Sequence, residues 1–169
     1  MTVALGITKP DWKRELKALL SLFGHRNWVV IADSAYPAQS RPGIETIASG
    51  AGQIEVARTV SGAIAASKHV RANVYLDQEL QFVAERDAPG VSRYRTQLAE
   101  LLKSAKTATL PHEQIIAKLD QTAQTFRVLI IKTELTIPYT SIFFELDCSY
   151  WSADAEQRLR QSMAASATK

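Results

Sequence analysis

Three short, almost continuously apolar segments constrain the fold of this chain more than any other feature. They are WVVIA at Trp28–Ala32, FRVLIIK at 126–132 and SIFFEL at 141–146. Short runs of branched and aromatic residues without polar alternation are typical of strands that are covered on both faces. The three segments therefore predict a sheet that has helices packed against both of its sides.

Four other segments carry apolar residues at helical spacing. In the first of them, Trp12, Leu16, Leu20 and Phe23 recur on one face, and Gly24 suits the left-handed position that closes a helix. Helices that alternate with buried strands indicate an α/β domain with helices on both faces of one sheet. The predicted helices span residues 12–23, 53–68, 89–104 and 111–124, the last with Pro111 in its first turn.

The remaining segments are less regular. TATL at 107–110 predicts a short strand, whereas ANVYLDQELQFVA at 72–84 shows only a weak strand pattern. Residues 37–52 hold two prolines and three glycines, and they predict a long loop. We expect one domain over residues 1–147, followed by a polar C-terminal tail or short helix over residues 148–169.

Composition argues against several classes of protein. Of the 169 residues, 46% are hydrophobic and 22% are charged, which is typical of a globular chain and not of a disordered one. No apolar run approaches the roughly 18 residues that a membrane helix needs, and charged residues between Asp11 and Glu15 interrupt any secretory signal. Cys148 is the single cysteine, so no intrachain disulfide can form. We therefore expect a cytoplasmic protein without a membrane partner.

The chain has three histidines, and two of them lie where a site could form. His25 precedes the first apolar strand, Asp33 directly follows it, and His112 begins a predicted helix. Ligands of α/β sheets bind outside the carboxyl ends of the strands, which is the position of Asp33. Imidazoles exchange protons near neutral pH, so both histidines are candidates for acid–base chemistry. Capping and ordinary hydrogen bonding are the alternative explanation for such residues.

Other polar and aromatic residues lie in the predicted connections. Tyr36 is next to a proline and could stack on the face of a sugar, or it could pack over the strand end. Arg41 could bind a phosphorylated ligand, or it could be solvated. Glu134 and Tyr139 lie in the connection between the last two strands, where Pro138 restricts the backbone of the preceding residue.

Neither nucleic acid nor metal is indicated as a partner. The net charge is only +3, and the arginines are scattered along the chain without an aromatic platform. A metal-dependent enzyme that uses His25, Asp33 and His112 is an alternative, because these ligand types suit zinc or iron. No HxH or HxxxH spacing supports this alternative.

Three motifs in a fixed order point to a known family. In GHRNWVVIADSAYPAQS at 24–40, a Gly-His pair is followed eight residues later by Asp and then by a proline loop. LPHEQIIAKLDQTA occupies residues 110–123, and TELTIPYTSIFFEL occupies residues 133–146. Together they resemble the D-ribose pyranase and L-fucose mutarotase family (RbsD/FucU-like) over about residues 12–146. The resemblance implies a three-layer α/β/α RbsD-like fold with a central mixed or mostly parallel sheet.

The resemblance also implies an activity and a set of site residues. The activity is that of a cofactor-independent isomerase, a mutarotase or pyranase that interconverts cyclic forms of a ribose- or fucose-like reducing sugar. His25 is implied as the proton donor, and Asp33, His112 and Tyr139 as sugar contacts. The asparagine of the family falls on Ser141, whose hydroxyl is shorter than a carboxamide and offers fewer hydrogen bonds.

The resemblance finally implies an assembly. Family members build rings of subunits, so we expect a homo-oligomer, an octamer or decamer, with the monosaccharide sites at subunit interfaces. No metal or cofactor is expected. A non-catalytic carbohydrate-binding or regulatory member of the same family is the alternative, and the replacement at Ser141 is its main support.

Overall fold

Residues 11–167 are described by the computed structural model, and they fold around one six-stranded sheet. The first ten positions, where we expected no secretory signal, and the last two positions of the predicted C-terminal segment lie outside this range. The strands are β1 Trp28–Ala32, β2 Ile44–Ala48, β3 Val70–Asp77, β4 Thr107–Leu110, β5 Val128–Lys132 and β6 Ile142–Cys148. The helices are α1 Trp12–Leu22, α2 Gln53–Ala66, α3 Val91–Leu102, α4 His112–Thr122 and α5 Ala153–Ala167, with a 3₁₀ segment at Gln78–Phe82.

The sheet is mixed, with strand order β2-β5-β1-β6-β3-β4. β5 pairs in parallel with both β1 and β2, and β3 pairs in parallel with β4. Only β6 runs the other way, antiparallel to β1 and β3. The reason lies in residues 133–141, which leave β5 and return into β6 at the same edge of the sheet without a crossover helix. A mixed or mostly parallel sheet was predicted, and the structure confirms it.

Helices cover both faces of the sheet, as the apolar strands predicted. On one face, alternate residues of β1, Val29 and Ile31, pack with side chains of α1, α2 and α3. On the other face, Trp28 and Val30 pack with Ile115 and other residues of α4. Successive residues of a strand point to opposite faces, so each central strand must be apolar throughout. The result is the expected three-layer α/β/α arrangement.

Several local predictions were wrong. The segment predicted as a long loop contains β2, a half-buried edge strand that pairs with β5. Gly24 does not take the left-handed conformation. Instead α1 ends on the extended Phe23, and Arg26 turns the chain with φ of 74°. Pro111, predicted in the first turn of α4, is instead the N-cap residue that precedes the helix.

The C-terminal segment forms a 15-residue helix, α5. Its side chains are almost all exposed, including Leu159 and Met163. At its start, Trp151 Nε1 donates a hydrogen bond of 2.8 Å to Glu156. Within residues 11–167, no helix combines the length and apolar character needed to cross a bilayer.

Candidate active site

A cleft of about 510 Å³ opens at the carboxyl ends of the parallel strands. Three segments form its walls: the loop after β1, the first turn of α4, and the loop between β5 and β6. The carboxyl ends of parallel strands are the usual position of a ligand site in an α/β fold. Four of the predicted site residues line this cleft, namely Asp33, Tyr36, His112 and Tyr139.

Asp33 stabilises the turn after β1, which forms the first wall of the cleft. Its Oδ1 accepts a hydrogen bond of 2.8 Å from the backbone N–H of Ala35, which turns the chain directly after β1. The preceding N–H, that of Ser34, donates to the carbonyl of Leu135 in the β5–β6 loop. The two loops are therefore tied together, and the carboxylate stays at the cleft.

His112 is the first residue of α4, and it is held at two points. Its backbone N–H donates to the carboxylate of Glu79, 3.0 Å from each oxygen. Its ring Nδ1 lies 3.0 Å from Oδ1 of Asp77, the last residue of β3. The side chain of Asp77 is fully buried, and this burial raises the pKa of its carboxyl group, while the hydrogen bond to His112 opposes the rise.

Tyr139 faces His112 across the cleft. The two rings meet edge to face, with centroids 5.7 Å apart and planes at 82°. The backbone of Tyr139 has φ of 57°, a left-handed conformation that residues other than glycine rarely adopt. Such a conformation persists only where its surroundings impose it, and it often marks a functional site.

A buried polar network lies directly beside this residue. The amide of Gln53, 2% exposed, donates through Nε2 to the carbonyl of Thr140 and, over 3.3 Å, to the hydroxyl of Tyr94. Tyr94 itself donates to the Thr140 carbonyl at 2.8 Å. Thr133 Oγ1 lies 2.6 Å from Gln53 Oε1 and 3.0 Å from the carbonyl of Ala32, so its proton can reach either acceptor. The network anchors the residue that follows Tyr139.

Tyr36 closes the cleft from the β1 side. Its ring is buried, and its hydroxyl oxygen lies 3.5 Å from Nε2 of Gln39, which donates to it. Burial raises the pKa of Tyr36 to about 12, and the carboxylate of Asp120 adds to this shift. A protonated phenol can donate a hydrogen bond to a ligand.

His25 lies before β1, at the amino ends of the parallel strands and opposite to the cleft. Seven residues separate it from Asp33, and the five of them that form β1 span about 17 Å at the usual strand rise. Its Nδ1 is 3.1 Å from Oδ1 of Asp147, and its Nε2 accepts from Nε of Arg26 at 3.1 Å. With Arg71 it lines a separate hollow of about 630 Å³ beside the start of α5. Within one chain, His25 does not reach the cleft.

The other predicted residues also lie outside the cleft. Arg41 lines a hollow at the amino ends of β2 and β5. Glu134 is exposed, and its backbone N–H donates to the carbonyl of Ala51. Ser141 is 3% exposed, and it is absent from the cleft lining formed by the described residues. Across residues 11–167, no group of three or more His, Cys, Asp and Glu side chains is arranged to hold a metal ion.

Sequence reasoning missed Asp77 and Glu79, the two carboxylates that hold His112. The signal for Asp77 was present, because an acidic residue at the carboxyl end of a strand had already singled out Asp33. It was not used because the strand pattern at residues 72–84 was weak. The contact of Glu79 with α4 spans 33 positions of the sequence and has no local signal.

Comparisons with solved structures find the same fold in other proteins. The structure of Bacillus subtilis RbsD complexed with D-ribose has a TM-score of 0.55 at 18% sequence identity, and the match covers 79% of this chain and 91% of that chain. FucU from Bifidobacterium longum has a TM-score of 0.54 at 17% identity, with 79% of this chain and 94% of that chain covered. The fucose mutarotase from Streptococcus pneumoniae in complex with L-fucose has a TM-score of 0.53 at 18% identity, with 85% of this chain and 98% of that chain covered. At these identities the likenesses show the fold.

A comparison with curated proteins finds no significant match. A family model, in contrast, matches residues 9–148, which include every element of the fold except α5. The match confirms the resemblance that the three motifs indicated. The chain belongs to the RbsD / FucU transport protein family.

Proposed function

We propose that this protein is a monosaccharide mutarotase or pyranase, a cofactor-independent isomerase that interconverts the cyclic forms of a ribose- or fucose-like sugar. The observation that carries the proposal is the convergence of Asp33, His112 and Tyr139 on one cleft. Membership of the family supports it, as do similar structures that hold D-ribose and L-fucose.

The cleft suits a small polar ligand with apolar faces. Its volume of about 510 Å³ lies within the range of small-molecule sites, roughly 300–1,000 Å³. Ile116, Ile137 and Pro138 supply apolar walls for the C–H faces of a sugar ring. The carboxylate of Asp33 accepts hydrogen bonds from sugar hydroxyls, and the phenol of Tyr139 can donate or accept.

The reaction needs two proton transfers. A base removes the proton from the anomeric hydroxyl, and the electron pair of that O–H bond forms the C1=O1 double bond. The bond between C1 and the ring oxygen breaks, and the ring oxygen keeps the electron pair and takes a proton from an acid. The open aldehyde then turns and closes again by the reverse steps, so each group must act both as an acid and as a base.

We assign the base to His112, or to a water held by Asp33, and the acid to His25 of a neighbouring copy. The side chain of His25 is 56% exposed, and it lies at the end of the sheet opposite to the cleft. A contact that joins two different surfaces of identical subunits is heterologous, and it closes into a ring where the rotation between subunits allows closure. We therefore propose a homo-oligomeric ring with each sugar site at a subunit interface, and the family resemblance implies an octamer or decamer.

Saturation-transfer NMR on reducing sugars tests the activity. Wild-type protein should accelerate exchange between the forms of at least one sugar, and H112Q and H25Q should each lower the rate by about 10²–10⁴-fold. His69→Gln is the matched control, since the His69 ring bonds the carbonyl of Phe23 and lies outside the cleft. Wild-type protein that accelerates no sugar would refute the proposed function.

Mixing inactive variants tests the assembly. If His25 and His112 meet across an interface, co-expressed H25Q and H112Q chains should form rings in which roughly one interface in four carries both histidines. The mixture should then recover roughly a quarter of the wild-type rate. Two inactive variants that stay inactive together in mixed rings would contradict the shared site.

A non-catalytic sugar-binding or regulatory role is the second candidate. It is favoured by Ser141, which replaces the family asparagine and is almost completely buried. Ser141 does not line the cleft, so a sugar hydroxyl that the family asparagine would reach has no partner from this residue, at a cost of about 1–3 kcal/mol of binding unless water fills the gap. The same NMR experiment separates the two candidates, because a pure binder shows sugar contact without faster exchange.

A further inference from the structure

The carboxyl group of Asp77 is placed in a way that stability alone does not explain. Its side chain has no exposed surface, and its Oδ1 is 3.0 Å from His112 Nδ1. Its Oδ2 is buried and meets no hydrogen-bond donor among residues 11–167. Burying a carboxylate with one oxygen unsatisfied is costly, so such a group is retained where it serves another purpose.

The contacts of His112 show what that purpose is. Glu79 holds the backbone N–H, Asp77 holds Nδ1, and Tyr139 packs edge-on against the ring. The contact with Glu79 fixes the backbone at the start of α4, and the contacts with Asp77 and Tyr139 restrict rotation and flipping of the imidazole. Its Nε2 has no hydrogen-bond partner within the described part of the chain, and the residue lines the cleft.

We propose that Asp77 is a positioning residue that keeps the proton of neutral His112 on Nδ1 and leaves the Nε2 lone pair free for the sugar. This inference rests on the proposed function and specifies which atom takes the anomeric proton. A neutral imidazole has one donor and one acceptor nitrogen, and the partner of one nitrogen determines the state of the other.

The same contact serves the second half of the cycle. Once Nε2 has taken a proton, the imidazole is cationic, and the carboxylate of Asp77 lies against its Nδ1–H. The pair then stabilises the charge that forms during ring opening, and no side chain has to move. Asp77 itself does not touch the sugar, because its side chain is fully buried.

The test uses full-length Asp77→Asn and Asp77→Ala, with Asp87→Asn as the control. Asp87 is an exposed aspartate, and among the described residues its carboxylate pairs with the adjacent Arg86 alone. ¹⁵N NMR of the imidazoles, assigned by comparison with H112Q, reads the tautomer of His112 without any sugar present. Wild-type protein and the control should carry the proton on Nδ1, and both Asp77 variants should move population to the Nε2–H form.

Kinetics provide the second measurement. The Asp77 variants should lose about 10²–10⁴-fold in kcat, as expected for a misplaced acid–base group, with KM nearly unchanged. An unchanged tautomer in both variants would overturn the inference, and so would a wild-type kcat with a changed tautomer. Failure of the proposed function is a separate result, because it appears as wild-type protein without exchange activity whatever the tautomer.

Discussion

Replacing Gln53 by leucine tests how the fold holds Tyr139 in its left-handed conformation. The substitution keeps the approximate size of the buried side chain but removes its amide. The Thr140 carbonyl still accepts a hydrogen bond from the Tyr94 hydroxyl, and Thr133 Oγ1 still donates one to the carbonyl of Ala32. No partner is left unsatisfied, so the loss is that of two or three ordinary hydrogen bonds, about 2–3 kcal/mol of unfolding free energy.

The functional consequence follows from the strain at Tyr139. A left-handed non-glycine residue costs about 1–3 kcal/mol, and the network anchors the next residue, Thr140. With the anchor weakened, the turn can relax and the phenol moves away from His112. If this costs about 1.4 kcal/mol of sugar binding, KM rises about tenfold.

Urea unfolding and sugar-exchange NMR measure the two effects on Gln53→Leu. Tyr94→Phe is the matched control, because it keeps the ring and the Gln53 amide but removes the second donor to the Thr140 carbonyl, worth about 1 kcal/mol, together with the long contact from Gln53 Nε2. The double variant leaves that carbonyl without either donor, so its loss should exceed the sum of the single losses by about 0.5–3 kcal/mol. Strict additivity, or lost stability with an unchanged KM, would refute the anchoring role.

Three further predictions concern single residues. The folded-state pKa of Tyr36 is about 12 against an ordinary value of 10.0, so its stabilising contribution is complete below pH 10 and is lost as the pH rises through 12. The full shift is worth about 2–3 kcal/mol, and urea unfolding between about pH 9 and 12 should show a shallower decline for Tyr36→Phe than for wild type. Tyr139→Asn should keep stability within about 1 kcal/mol, since asparagine tolerates the left-handed conformation, while kcat/KM falls; a loss of several kcal/mol would contradict the strain argument. Gly43→Ala should destabilise by about 1–3 kcal/mol in the same unfolding assay, because the new Cβ would lie 2.5 Å from the carbonyl oxygen of Ala123; an unchanged midpoint would contradict it.

The buried elements of this fold could be predicted because burial leaves a pattern. The strands β1, β5 and β6 are apolar on both faces, and the helices α1 to α4 carry apolar residues at helical spacing. β2 was missed because it is an edge strand between prolines and glycines. Its five residues are mostly half-buried, and its place is decided by backbone pairing with β5, a segment more than 80 positions away.

The candidate site was predictable only in part. Asp33 and His112 followed from strand-end position and from motif order, and the structure places both at one cleft. Asp77 and Gln53 act through contacts that span 35 and 87 positions, so no local pattern could connect them to His112 or Thr140. His25 precedes β1 and therefore lies at the end of the sheet opposite to the cleft. A contact between His25 and the cleft of a second subunit stays a prediction.

The sequence by itself determined the class of fold and the family, because apolar periodicity and motif order are written along the chain. Only the tertiary structure decided which side chains meet, since the cleft joins loops that follow β1 and β5 to the start of α4. It alone revealed that a buried carboxylate holds His112 and that a buried amide anchors the turn of Tyr139. The physical reason is that hydrogen bonds and burial depend on distance in space, which strand order sets and local sequence does not record.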